Sequence, residues 1–321
     1  MTGGGTSTIH GVDIVFAGTP DAAVPALEAF AESEHRIRAV LTRPDAPVGR
    51  RRVLTPSPVK TRAQELGLDV IEAERLRGQV ITRLRELEVD AVAVVAYGAI
   101  AGPAALSTSR LGWFNLHFSL LPAYRGAAPV QRALIDGLDR SGVSVFRIDE
   151  GMDTGPVLRR LELPLDHTDV AAALDDYAHR GAEELVAAFD ALAAGTAQES
   201  PQAGQASHAD KITVADAHLD LTAPAESVID RARGTSPCPG PWVELHGKRT
   251  KLFGFTPAPE VTVDGDAGQL RSWDGTPVLR CGDGWVRVAE IQPFGKPRMA
   301  AADYLRGHGD TRFDLRTDQG A

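Results

Sequence analysis

Asn115, His117 and Asp153 are the residues of this chain whose types and spacing suit bond-making chemistry. Asn115 and His117 alternate with apolar neighbours in Gly112-Trp-Phe-Asn-Leu-His-Phe118, and the period of two along a strand sends both side chains to the same face. That face carries a donor amide and a titratable imidazole. A second apolar run, Val143 to Ile148, leads into Asp149-Glu-Gly-Met-Asp153-Thr-Gly155, an acidic turn whose last carboxylate is Asp153. An amide, an imidazole and a carboxylate together suit acyl transfer to an amine. The tetrahedral intermediate carries an oxyanion that needs donors, the attacking nitrogen must lose a proton and the leaving nitrogen must gain one. The expected roles are oxyanion stabilisation by Asn115 and a protonated His117, with Asp153 keeping the imidazole charged or moving the proton. Taken singly, each residue has a plainer role as strand-end amide, core histidine or turn acid; their combination argues for chemistry.

The elements around them read as an α/β domain. Val12 to Ala17 is a short apolar strand, and Thr19-Pro20-Asp21 looks like a helix start, with Pro25 expected to kink or delay that helix. A dinucleotide fingerprint would need two further glycines at fixed offsets after Gly18, and the sequence does not supply them. Strands are expected at 37–42, 70–71 and 89–95, the last a β-branched run suited to a central parallel position. Helices are expected at 60–66, 75–87, 130–138 and 170–194, and this alternation implies a doubly wound, mostly parallel Rossmann-like sheet. In such sheets ligands sit at the carboxyl ends of the strands, where Tyr97, Asn115, His117 and Asp153 fall. Between residues 43 and 60, Pro44, Pro47, Gly49, Pro56 and Pro58 are expected to leave a loop without regular structure.

Several of these motifs share one family. Asn115-x-His117-x-Ser119-Leu-Leu-Pro122 followed by Gly151-Met-Asp153-Thr-Gly155 resembles the folate-dependent formyltransferases, and Arg125-Gly-Ala-Ala-Pro-Val-Gln131 resembles their tRNA-acting branch. Val15 to Pro20, Arg43 to Arg50, Leu54 to Lys60 and Ala96-Tyr-Gly98 stand in the family's order. The resemblance implies 10-formyltetrahydrofolate as co-substrate and charged initiator methionyl-tRNA as acceptor. It implies a catalytic trio of Asn115, His117 and Asp153, and a folate site of Tyr97, Ser119, Leu120, Leu121 and Pro122. It also implies tRNA contacts from Arg50, Arg51 and Arg52 in the Pro-rich loop. Formylation of a glycinamide ribonucleotide or a sugar nucleotide is the nearest alternative, and a catalytically dead tRNA-binding module is another.

With 321 residues, 43% hydrophobic and 24% charged, the chain is long enough for two cores. The expected divisions are a tail at 1–11, a catalytic domain at 12–196, a linker at 197–211 where Gln, Ser, Gly and Ala dominate, and a second domain at 212–321. Short strands expected near 242–246, 250–255, 277–281 and 285–291 suit an OB-like β-barrel, with Lys248, Arg249 and Lys251 as a basic hairpin for RNA. A net charge of -9 disfavours indiscriminate nucleic-acid binding and makes any tRNA contact local, as in the eight Lys and Arg residues between Arg36 and Arg62. Cys238 and Cys281 are expected to be free thiols, and no spacing of ligands suggests a metal. No leader-like or membrane-spanning run is seen, so a cytoplasmic protein without an obligate protein partner is expected.

Overall fold

The computed structural model describes residues 11–49, 52–166 and 169–315. In chain order the strands of the first sheet region are β1 (Asp13–Gly18), β2 (Arg36–Thr42), β3 (Ala46–Val48), β4 (Val53–Thr55), β5 (Val70–Glu72), β6 (Ala91–Val95), β7 (Gly112–His117), β8 (Arg140–Arg147) and β9 (Val157–Pro164). The helices among and after them are α1 (Val24–Ala31), α2 (Pro58–Glu65), α3 (Gln79–Glu86), α4 (Pro103–Leu106), α5 (Pro129–Ile135) and α6 (Val170–Ala193). The sheet runs β5-β2-β1-β6-β7-β8-β9, parallel from β5 to β7 and antiparallel at β7–β8. Every residue of β6 is buried, as a strand covered on both faces must be. On one face Phe189 of α6 meets Phe30 of α1 and Phe114 of β7 edge-on, at 5.0 and 5.7 Å between centroids. On the other face Ile81, Leu84 and Ala105 from α3 and α4 pack with Val15, Val92 and Trp113.

Local differences from the sequence expectation have identifiable causes. The helix after β1 does not start at Pro20; a 3-10 turn occupies Asp21–Ala23, and Pro25 then takes the first turn of α1, where its missing N–H costs nothing. The Pro-rich stretch is not wholly irregular, because β3 and β4 pair as an exposed hairpin with Pro47 opposite Leu54. An exposed two-stranded ribbon needs a donor from only some positions, so it tolerates that proline. β9 and α4 were not legible in the sequence.

By its contacts the chain divides into two compact units, one of residues 1–126, 142–163 and 174–208, the other of 127–141, 164–173 and 209–321. The second unit holds α7 (Ala225–Thr235), β10 (Trp242–Leu245), β11 (Lys248–Pro257), β12 (Gln269–Trp273), β13 (Thr276–Arg280), β14 (Trp285–Gln292), β15 (Met299–Ala300), α8 (Ala301–His308) and β16 (Thr311–Arg312). Its antiparallel sheet runs β10-β11-β14-β13-β12-β16, and a bridge between Glu244 and Asp314 joins the end of that path to its first strand, closing a barrel. Leu252, Leu270, Leu279, Val286, Val288 and Phe313 fill the interior. The composition of 197–211 reads as a linker, yet residues 199–208 are bonded into the first unit. Ser200 pairs with Val157, Arg147 donates to Glu199, and Ser207 binds the backbone of Tyr124 and Arg125.

Candidate active site

Register on the sheet sets the site. Asn115 lies opposite Val94 of β6 and Phe146 of β8, and His117 opposite Ser144, so both stand at the end of β7 on one face. The chain then turns under several hydrogen bonds. Ser144 Oγ donates to the Ser119 carbonyl and accepts from Leu121 N–H, and Ser119 Oγ donates to the Ala123 carbonyl. Tyr124 follows at φ +56°, an uncommon conformation for a residue with a Cβ, and its carbonyl faces His117 Nε2 at 2.9 Å.

A carbonyl can only accept, so Nε2 carries the proton in the neutral imidazole and Nδ1 is left as the acceptor. Nδ1 faces Asp153 Oδ2 at 3.8 Å, too long for a direct hydrogen bond and within Coulomb range. His117 is 5% exposed. Burial is the largest influence on it and lowers its pKa below the ordinary histidine value, outweighing the Asp153 charge and the Tyr124 carbonyl, both of which raise it. The sequence led us to expect an imidazolium held charged by Asp153. Desolvation reverses that for the protein without substrate: His117 is neutral near pH 7.

Asp153 is placed by its loop. Asp149 Oδ1 accepts from Gly151 N–H and Thr154 Oγ1, folding the turn on itself. At Gly155 a Cβ would stand 1.8 Å from the Arg147 carbonyl oxygen, so only glycine passes there. Asp153 itself adopts φ +53°, and its Oδ2 accepts from Gly126 N–H at 2.8 Å. The three residues singled out from the sequence are therefore brought to one place. The Asn115 side-chain amide has no partner among the described residues and stays partly exposed, as a donor reserved for a ligand would.

The residues expected at the folate site divide. Tyr97 is buried, its hydroxyl donates to the Ala73 carbonyl at 2.7 Å, and burial pushes its pKa up to about 12 against the pull of Arg43. Its side chain thus packs the strand end and offers no donor to a ligand. The Ser119 hydroxyl is likewise used in the turn, Leu121 and Pro122 are buried, and Leu120 is half-buried.

Among the expected tRNA residues, Arg50 and Arg51 lie outside the described residues. Arg52 is exposed at the hairpin turn, where its backbone N–H donates to the Gly49 carbonyl at 3.1 Å, and its guanidinium has no hydrogen-bond or ion-pair partner among the described residues. Its basic neighbours are mostly committed: Arg36 and Arg38 to Asp13, Lys60 to Asp45 and Glu72, Arg62 to Glu28 and Glu65, and Arg43 to the Gly98 carbonyl. In the barrel Lys248 and Arg249 are exposed, the latter with its guanidinium 4.6 Å from the Trp242 ring centre, whereas Lys251 donates to the Pro239 carbonyl and is used internally.

An amide, a neutral imidazole and a carboxylate at the strand ends of a doubly wound sheet suit an enzyme of acyl-group transfer. The chain belongs to the formyl transferase family: residues 12–188 match the formyl transferase model and residues 211–309 the formyl transferase C-terminal domain. It is 47% identical over 296 residues to the methionyl-tRNA formyltransferase of Paenarthrobacter aurescens strain TC1, covering 92% of this chain and 96% of that one. To the methionyl-tRNA formyltransferase of Arthrobacter sp. strain FB24 it is 46% identical over 299 residues, with the same coverage. In fold it resembles HypX from Aquifex aeolicus in complex with tetrahydrofolic acid, with a TM-score of 0.63, 15% identity, and coverage of 92% of this chain and 47% of that one. That last likeness concerns the fold alone.

Proposed function

We propose that the chain transfers the formyl group of 10-formyltetrahydrofolate to the α-amino group of methionine esterified to initiator tRNA. The observation that carries this is the 47% identity to a methionyl-tRNA formyltransferase across both matched regions. Esterification removes the carboxylate and lowers the amine pKa towards neutrality, so more of the acceptor is nucleophilic.

The residues then act as follows. The amine nitrogen attacks the formyl carbon, and the carbonyl oxygen becomes an oxyanion that the Asn115 amide stabilises. The ammonium proton passes to His117 Nδ1, whose lone pair faces the site because Nε2–H is given to Tyr124. Asp153, 3.8 Å away, stabilises the imidazolium that forms. His117 returns the proton to N10 as the C–N bond breaks, leaving tetrahydrofolate and the formylated amine. Arg52, with Arg50 and Arg51, takes the acceptor end of the tRNA, and exposed Lys248 and Arg249 add contacts from the barrel. No helix among the described residues is long and apolar enough to cross a membrane, and we place the reaction in the cytoplasm with its tRNA substrate.

The test is formylation by the purified protein of methionyl initiator tRNA, with uncharged tRNA, elongator methionyl-tRNA, free methionine and an amino-sugar nucleotide as alternatives. Formylation confined to charged initiator tRNA is expected. Folate binding with no formylation of any tRNA would show that the acceptor is wrong.

A further inference from the structure

Gln202 lies in the stretch whose composition reads as a linker, and its side chain is the most fully used amide near the trio. Its Nε2 donates to the Asp153 carbonyl at 2.7 Å and to the Gly155 carbonyl at 2.9 Å. Its Oε1 accepts from Arg125 Nε at 3.1 Å and Nη2 at 2.6 Å. Two carbonyls on one side and a guanidinium on the other leave one orientation of the amide, so its donor and acceptor ends are fixed. Asp153 and Gly155 belong to the loop that carries the carboxylate. Arg125 stands between Tyr124, whose carbonyl binds His117, and Gly126, whose N–H binds Asp153.

We propose that Gln202 is a positioning residue for the formyl transfer: it clamps the Asp153 loop to the Arg125 segment and so holds the carboxylate at its working distance from His117. This rests on the formyl-transfer function proposed above. Asp153 and Tyr124 both sit at positive φ, a costly conformation for residues with a Cβ that persists only where surrounding hydrogen bonds hold it, and the Gln202 amide adds a long-range bond to the Asp153 carbonyl. Ser207, on the same strap of residues 199–208, secures the other side by accepting from Tyr124 N–H through Oγ at 2.8 Å and from Arg125 N–H through its carbonyl at 2.9 Å. Residue type matters. A carboxylate at 202 would accept from Arg125 and cannot donate to the two carbonyls, and methionine would fill the space and make none of the four bonds. A neutral amide also orients Arg125 without cancelling its charge, and among the described residues no carboxylate lies within ion-pair distance of that guanidinium.

The test compares Gln202→Met, Gln202→Ala and Gln202→Glu with the parent protein. Misplacement of a catalytic group by an ångström is worth on the order of 100-fold. We expect kcat to fall roughly 10- to 100-fold in all three, with KM for the formyl donor within about twofold of the parent. Gln202→Met nearly keeps the side-chain volume, and parent-like turnover in that variant overturns the proposal, as does a change confined to KM. An NMR titration of the His117 ring without substrate gives a second readout, independent of activity. Since Asp153 raises the His117 pKa, releasing the carboxylate in Gln202→Met must move the titration midpoint down; an unmoved midpoint also overturns it. If the parent forms no formylated product, the proposed function is what has failed, and the titration still decides the role of Gln202.

Discussion

At the scale of single residues, the chemistry turns on which atoms are already spoken for. His117 Nε2 belongs to Tyr124 and Asp153 Oδ2 accepts from Gly126, whereas Asn115 and His117 Nδ1 keep their capacity for a substrate. Asp153→Asn isolates the charge, because asparagine tolerates positive φ and its side-chain oxygen can still accept from Gly126. Turnover should fall by about 10²- to 10⁴-fold while formylfolate binding stays within a few-fold, as checked by single-turnover formylation and a folate-binding titration. Near-parent turnover would remove Asp153 from the mechanism. The trio could be picked out in the sequence because strand alternation and a Gly-bounded acidic turn are local patterns. The protonation state of His117 could not, since it depends on how much water the packed neighbours exclude.

At the scale of elements, strand ends and helix caps hold the loops that matter. α2 follows the β3–β4 hairpin, and Ser57 caps it by accepting from Lys60 N–H at 3.0 Å while sharing a 2.7 Å hydrogen bond with Thr42 Oγ1 at the end of β2. Ser57→Ala removes the cap and strands a buried Thr42 hydroxyl, which should cost about 1–2 kcal/mol of stability, measured by denaturant unfolding. A loss under about 0.3 kcal/mol would mean that water replaces the cap. Breaker residues marked the hairpin region but concealed its pairing, because Pro47 argues against a strand until the ribbon is seen to be exposed and self-paired. Residues 199–208 were concealed for a related reason. Their Ser, Gln and Gly composition matches a flexible linker, and every bond that orders them is made to residues far away in sequence.

At the scale of the whole molecule, charge and pH act on the two units in different ways. The barrel unit has a cleft of about 740 Å³ lined by Asp166, Glu226, Asp230 and Asp283 together with Arg233, which is paired with Asp230, so the balance of charge there is acidic and disfavours phosphate. In the first unit, burial lowers the pKa of both His35 and His117 below the ordinary value near 6.5. Their folded-state pKa values lie under the unfolded one, so the unfolded chain binds more protons in that window. The stability these residues contribute is complete above about pH 6.5 and is lost as pH falls through the folded values. Asp13 in this unit, like Asp216 in the barrel unit, has a pKa lowered from 3.8 and holds its contribution until more acidic pH. The melting temperature of the first unit should therefore drop between pH 7.5 and 5.5, and His35→Gln should flatten that slope. A melting temperature that rises on acidification would contradict the assignment.

The sequence alone determined the doubly wound sheet, the second β domain, the choice of Asn115, His117 and Asp153 as candidates and the family resemblance, because hydrophobic period, turn residues and motif spacing are local and survive without coordinates. Tertiary structure decided the neutral imidazole, the inward use of Tyr97, Ser119 and Lys251, the pairing of most of the basic residues near Arg52, and the clamp at Gln202. Each of these depends on desolvation or on hydrogen bonds between segments distant in the chain, such as Gln202 to Asp153 and His117 to its packed surroundings. One-dimensional spacing carries no record of which polar atoms will find each other.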